Sequence, residues 1–398
     1  MASVGRRILF IVENLPSPFD RRVWQEATTL EQNGYEVSII CPTGKGYEKK
    51  YECIDNIHIY RHKLPLEADG ALGYALEYGA ALFWEFYLSF KVLFTRGFDA
   101  IHACNPPDLI FIVGGFFKFF FGKKFLFDHH DINPELYEAK FGRRDFFYKL
   151  MVWCERLTFK TADVSIATNE SYKKIAIERG GMDSEKVHVV RSGPKLDRLK
   201  IIDPIPALKQ GRKYMVGYVG VMGKQEGIDY LLRAAQHIIK GKGREDIHFG
   251  LVGGGTELDA LKDYAAELGI ANYVTFTGRV PDQELLEMLN TADVCVNPDV
   301  ANEMNDKSTM NKIMEYMALA KPIVQFDLTE GRFSAQEASL YANKNNEKDM
   351  ANKILLLLDD PDKRQKMGEF GRSRVLNELE WDFEVPKLLK AYSNLFLS

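Results

Sequence analysis

Short apolar runs alternate with longer helical patterns through nearly the whole chain, and nothing constrains its folding more than that rhythm. The first run, Ile8-Leu-Phe-Ile-Val12, stops at Glu13-Asn14. It is too short for the apolar region of a secretory signal and reads as a buried strand. Strands are expected over Arg7–Val12, Glu36–Cys41, Ile57–Arg61, Ala100–His102, Lys124–Phe127, Val164–Ala167 and Val187–Val190. Helices are expected over Arg21–Asn33, Gly73–Phe94, Asp108–Phe121, Phe146–Ala162 and Glu170–Arg179. Such alternation predicts a parallel sheet covered on both faces. Around Lys195–Arg212 the rhythm breaks at Pro194, Pro204 and Pro206, as an interdomain linker would. It resumes with strands over Tyr214–Val219, His248–Val252, Val274–Thr277 and Val294–Asn297, with helices between. The predicted class is therefore α/β: two tandem Rossmann-like, doubly wound domains, 1–200 and 213–380. Their ligands are expected beyond the carboxyl ends of the strands, in an interdomain cleft.

Composition narrows the function classes. With 46% hydrophobic and 27% charged residues the chain is globular, and 398 residues exceed one ordinary core. A net charge of −4 gives no reason to expect nucleic acid. Five scattered cysteines without a C-x-x-C pair suit a reducing compartment, and neither a disulfide framework nor a zinc site. No run reaches the ~18–20 apolar residues of a spanning helix.

The stretch from Lys307 to Leu328 reads as loop, helix, tight turn and strand. Ser308, Thr309 and Asn311 open the helix, and its free N–H groups suit a phosphate flanked by Lys307 and Lys312. Glu315 lies one turn further in, where a carboxylate can accept ribose hydroxyl protons. Gly253-Gly-Gly255, with Gly254 at its centre, follows one strand, and Gly220-Val-Met-Gly-Lys-Gln-Glu-Gly227 follows another. Glycines there allow close backbone approach to a phosphate or base. Lys224 is a candidate phosphate ligand, or a solvated loop lysine.

Phe127-Asp-His-His-Asp131 ends a strand. Its histidines and aspartates suit acid–base chemistry better than metal, because adjacent side chains at a strand end diverge. In Pro18-Phe-Asp-Arg-Arg-Val-Trp-Gln-Glu26, Asp20 can cap a helix, and Arg21 and Arg22 can meet an anionic acceptor or donor phosphate. Asn105-Pro-Pro-Asp108 lies on the same sheet edge and can shape the acceptor side. Glu330 and Arg332 can read sugar hydroxyls and phosphate, or pair with each other.

Glu315-Tyr-Met-Ala-Leu-Ala-Lys-Pro-Ile-Val resembles the second half of the donor-site signature of family 4 glycosyltransferases, whose fold is called GT-B. The signature's first Glu would fall at Lys307. Leu251–Leu258, Val274–Pro281 and Ala292–Pro298 are similar to the family in order and spacing. By this resemblance the backbone at Arg279 and Val280 holds the donor base, and His130 faces the reacting sugar, with His129 packed behind. The family's cationic pair in the first glycine loop is replaced by Val221 and Glu226, leaving Lys224 as the substitute. The last helix, 381–398, is expected to cross back to the N-terminal domain.

The resemblance implies a retaining transferase using a nucleotide diphosphate sugar, a UDP-sugar favoured, with no metal or cofactor. Its implied acceptor is a lipid-linked or surface glycan at the inner face of the cell membrane. Phe116-Phe-Lys-Phe-Phe-Phe121, apolar almost all round and bordered by lysines, is the expected peripheral membrane contact. The altered loop residues also leave room for a non-catalytic nucleotide-binding partner of a glycan assembly complex, and the fold for a sugar-nucleotide epimerase.

Overall fold

The computed structural model describes residues 5–63, 71–106 and 109–397, without the side chains of 71–78. Two units emerge: Met1–Ser192 with Glu384–Ser398, and Gly193–Phe383.

Unit 1 runs β1 (Arg7–Ile11), α1 (Arg21–Gln32), β2 (Glu36–Pro42), β3 (Tyr51–Ile54), β4 (Ile57–His62), α2 (Ala71–Thr95) and β5 (Ala100–Cys104). It continues through α3 (Ile110–Phe121), β6 (Lys124–His129), α4 (Asn133–Phe141), α5 (Phe146–Thr161), β7 (Val164–Ala167), α6 (Glu170–Glu178) and β8 (Val187–Val189). The sheet order is β3-β4-β2-β1-β5-β6-β7-β8, parallel except for the β3 edge. β1 to β2 runs one way across the sheet, and β5 to β8 the other, so strand order reverses between β1 and β5. Ligands of doubly wound sheets bind at such reversals. Among the elements that escape the rhythm are β3, short and half-exposed, and α4, too short to show a period.

Unit 2 runs β9 (Tyr214–Val219), α7 (Ile228–Gln236), β10 (Ile247–Val252), α8 (Leu258–Glu267), β11 (Val274–Gly278), α9 (Asp282–Thr291) and β12 (Val294–Asn297). It then carries α10 (Glu303–Lys307), α11 (Asn311–Ala318), β13 (Ile323–Phe326), α12 (Thr329–Ala335), β14 (Ser339–Ala342), α13 (Glu347–Asp359) and α14 (Pro361–Arg374). Its parallel sheet, β11-β10-β9-β12-β13-β14, reverses between β9 and β12.

The final helix, α15 (Val385–Leu397), belongs to unit 1, where Leu388, Ala391, Tyr392 and Leu395 are buried. Trp381, expected to travel with it, sits in unit 2, and its N–H donates to Pro194 O. The boundary therefore falls at Ser192/Gly193, not near residue 200. Nor is Lys195–Arg212 a free linker. It is a strap packed on unit 2, with Leu199 in the core. Its Ile202 and Ile205 N–H groups donate to Asn290 Oδ1 (3.2 Å) and Thr291 Oγ1 (2.9 Å). The prolines that suggested a linker mark irregular backbone, whose hydrogen bonds are met by side chains of α9.

Candidate functional site

In unit 1 the loops after β1, β5 and β6 carry the candidate side chains. Asp20 caps α1, accepting from Val23 N–H at 3.2 Å. Arg21 is exposed beside it. Arg22, one residue on, turns inward and is buried. Its guanidinium donates to Asp128 Oδ1 at 2.9 Å and Oδ2 at 3.2 Å, meets Glu26 at 2.9 Å, and donates to Val190 O and Ser192 Oγ. Arg22 is thus an internal brace and not an exposed phosphate ligand; two buried carboxylates claim its charge.

Asp128 collects this network. His130 Nε2 lies 2.5 Å from Asp128 Oδ2, and His102 Nε2 lies 3.4 Å from the same oxygen. His102 Nδ1 is 2.7 Å from the Tyr392 hydroxyl of α15. Arg22 Nε donates both to Asp128 Oδ2 at 3.2 Å and to His130 Nε2 at 3.0 Å. Asn105 holds the loop: its Oδ1 accepts from His130 N–H (2.8 Å) and Asp131 N–H (3.2 Å). Its partners in the motif, Pro107 and Asp108, lie outside the described residues.

Charges in this cluster are uneven. Burial pushes the Asp128 carboxyl up, but Arg22, His130 and the His102 hydrogen bond outweigh it and hold it well below the usual range. Burial raises the Glu26 carboxyl well above its ordinary value, and Asp128 adds to the rise against Arg22. The two carboxyls are thus pushed in opposite directions, Glu26 toward its neutral form and Asp128 toward its ionised one. Burial lowers the His102 imidazole against the pull of Asp128. His129 packs among Phe127, Phe159 and Tyr172, and burial lowers its imidazole to about 3. His102, Glu26 and Cys104 could be drawn as metal ligands with Asp128 and His130. The cation between Glu26 and Asp128 is already the Arg22 guanidinium.

In unit 2 the loops after β9, β10 and β11 lock together. Gly220 N–H donates to Val252 O, Met222 N–H to Gly254 O, and Gly253 N–H to Gly278 O. Gly253 has φ +136°, and a Cβ there would lie 1.8 Å from Gly220 O. A Cβ at Gly255 would meet Met222 O at 2.4 Å. These glycines are required by backbone-on-backbone packing. Arg279 is exposed after β11, and Val280 packs on the core. Lys224 is exposed in a single 3-10 turn of the first loop.

The signature helix is shorter than its pattern suggested. Lys307 ends α10, paired with Glu303 at 2.6 Å, and Ser308 Oγ donates back to Met304 O. Thr309 is half-buried in the turn that follows. Asn311 opens α11, with no side-chain cap from Met310. Ser308 thus closes one helix instead of opening the next. Tyr316 fixes α11 on the sheet: its hydroxyl accepts from Val219 N–H (2.9 Å) and donates to Val296 O (3.2 Å). Glu315 pairs with Arg198 of the strap, which also meets Asp282 at 3.6 Å. Arg198 had no signal in the sequence beyond its charge within a proline-broken stretch.

Lys312 lies inward, its ammonium 2.8 Å from Asp299 and 3.3 Å from Glu226. Arg332 pairs with Asp327 (2.7 and 2.6 Å) and covers Tyr341, and does not pair with Glu330, which is buried. An i,i+5 partner in the preceding loop simply lies closer to the guanidinium.

Residues 20–198 match the family model for Glycosyltransferase Family 4, and residues 213–360 that for Glycosyl transferases group 1. The chain belongs to the family 4 glycosyltransferases. An α-maltose-1-phosphate synthase of Mycolicibacterium smegmatis is 24% identical over 62% of this chain. The match covers 66% of that relative, just under two thirds. Among solved structures, sucrose-phosphate synthase from Thermosynechococcus elongatus superposes with a TM-score of 0.81 at 19% identity, covering 98% of this chain and 99% of that one. Anabaena HepE, solved with UDP-glucose, gives 0.73 at 15% identity, covering 97% and 99%. These likenesses establish the GT-B fold for this family 4 glycosyltransferase.

Proposed function

We propose that this family 4 glycosyltransferase moves a sugar, with retention, from a UDP-sugar to a lipid-linked or surface-polysaccharide acceptor. The observation that carries the donor half is the interlocked glycine loops of unit 2 beside α11. Gly220, Gly254 and the backbone at Arg279 and Val280 surround a place where a base and diphosphate can approach main chain, and Glu315, steadied by Arg198, offers a carboxylate to the ribose. The UDP-glucose in the Anabaena neighbour supports the choice of uracil.

Unit 1 supplies His130. With Nε2 held by Asp128, its ring can meet a sugar or acceptor hydroxyl through Nδ1, and the Asp128 charge steadies positive charge that develops there. As the sugar–phosphate bond breaks, the leaving diphosphate is stabilised by main-chain N–H groups and a lysine of unit 2. A phosphate oxygen can take the acceptor proton, so no further protein base is needed.

The acceptor class rests on the surface of unit 1. Phe119 and Phe120 are 76% and 74% exposed, and α3 packs between α2 and α5. Those neighbours expose Phe83, Tyr87 and Phe94 on α2, and Phe146, Phe147 and Trp153 on α5. Phe117, expected within the same surface, is instead fully buried against Phe98 and Phe90. Among the described residues no helix is long and apolar enough to cross a membrane. Exposed rings bordered by Lys118, Lys123 and Arg144 suit an anionic bilayer surface, where a lipid-linked acceptor would reside.

The test is a thermal-shift screen of UDP, GDP, ADP and TDP on wild type and Glu315→Ala, followed by turnover of the matching sugar donor. Removing a charge-assisted hydrogen bond worth about 1.5–3 kcal/mol should weaken the preferred nucleotide roughly 10- to 100-fold. Wild-type affinity in the variant refutes the ribose role. Donor consumption without acceptor would indicate an epimerase, and tight binding without turnover a non-catalytic partner.

A further inference from the structure

The first glycine loop of unit 2 carries an unbalanced charge cluster at the point where strand order reverses. Lys312, Glu226 and Asp299 meet there with side chains 10%, 16% and 0% exposed. One ammonium faces two carboxylates, 2.8 Å from Asp299 and 3.3 Å from Glu226. Asp299 Oδ2 is buried with no hydrogen-bond partner among the described residues. The other groups facing the cluster are the Tyr218 hydroxyl of β9, which donates to Val221 O, and Tyr316 of α11, whose hydroxyl donates to Val296 O. A Cβ placed on Gly220 would come 3.4 Å from Lys312 Cε, so the lysine stem runs directly beneath the loop backbone.

Two consequences follow from counting charge. With both carboxylates ionised, the cluster is net negative in a place of low polarisability, which repels a diphosphate. And Lys312 cannot serve an incoming phosphate while Glu226 and Asp299 both hold it. Adding one proton to the cluster removes both obstacles. Glu226 is the group placed to take it, being the more distant partner of Lys312 and on the loop itself. Burial pushes its carboxyl up to about 7 against the pull of Lys312, with Asp299 adding to the rise. Lys312, despite burial, is held well above its ordinary value and stays charged.

We propose that binding of a nucleoside diphosphate at this loop is coupled to uptake of one proton by Glu226, which releases Lys312 to the phosphates. The proton comes from solvent and ends on the Glu226 carboxylate, and no covalent bond changes. This deepens the donor-site reading above and rests on it. It also gives the chain an internal replacement for the cations absent at Val221 and Glu226.

The experiment is calorimetric titration of UDP into the intact protein at about pH 8, in two buffers of different protonation enthalpy. UDP's terminal phosphate, with a second pKa of about 6, is ionised there in every variant. Wild type should take up close to one proton per UDP. Its affinity should fall up to about tenfold per pH unit above neutrality. Glu226→Gln should take up almost none and bind with little pH dependence, while Glu226→Asp retains the coupling. Binding without proton uptake in wild type, or equal uptake in Glu226→Gln, overturns this inference and leaves the donor site standing. No binding of UDP, GDP, ADP or inorganic pyrophosphate overturns the donor site and this inference together.

Discussion

Replacing Asp128 by Asn should cost unit 1 far more than replacing Glu26 by Gln, although both carboxyls are buried against the same guanidinium. Asp128 is ionised and accepts from Arg22 twice, from His130 and from His102. Removing one charge of a buried pair typically costs about 3–5 kcal/mol, and an amide that keeps the shape and one acceptor puts this case near about 3 kcal/mol. For a unit of this size that is a fall of about 6–12 °C in its unfolding midpoint. The Glu26 carboxyl is pushed toward its neutral form by burial, for which a glutamine is close to an isostere, so that change should shift stability by less than about 1 kcal/mol.

The pH dependence separates the two further. The Asp128 carboxyl is lowered in the folded state, so its contribution is present above the ordinary carboxylate range and lost as pH falls through the lowered value. The Glu26 carboxyl is raised, so its contribution is present below the ordinary range and lost as pH rises through the raised value. Asp128→Asn should therefore remove acid sensitivity, and Glu26→Gln should help slightly at alkaline pH. Because two units need not unfold together, amide exchange in β5 and β6 by mass spectrometry is the suitable assay, with calorimetry alongside. A Glu26→Gln loss equal to that of Asp128→Asn would refute the assigned protonation.

Other expectations are simpler. Phe119→Ser with Phe120→Ser should release the protein from anionic vesicles without lowering its unfolding midpoint; sedimentation with vesicles as before would place the contact elsewhere. Gly253→Ala sets a Cβ 1.8 Å from Gly220 O at φ +136°. It should destabilise unit 2 by several kcal/mol, on the order of a severe backbone clash, and unchanged urea unfolding would contradict the packing.

What was readable in the sequence was what repeats locally. Strand and helix alternation marked most elements of both sheets, because apolar period and turn residues are local signals. The glycine loops and α11 were legible for the same reason. The Phe116–Phe121 run had no period, so its buried face could not be told; Gly114, where a Cβ would lie 2.7 Å from the Phe125 ring, sets the helix so that Phe117 turns in. Arg22 and Lys312 read as cations awaiting phosphate because their partners, Asp128 and Asp299, lie 106 and 13 residues away. Charge compensation across such separations has no trace in composition or spacing. The strap at Lys195–Arg212 was missed because its anchors are side chains of α9, a different element altogether.

Tyr392 stands on a helix that unit 1 receives only after all of unit 2 has been made. Domains usually fold in the order they leave the ribosome. Here the order is forced the other way for completion: Gly193–Phe383 has every strand it needs before Leu388, Tyr392 and Leu395 arrive to cover β6, β7 and β8. Until then His102 lacks its hydroxyl partner, and the part of β6, β7 and β8 that α15 covers stays open. A nascent chain stalled before Glu384 would thus carry a finished unit 2 and an unfinished unit 1, and is the species a chaperone would be expected to hold.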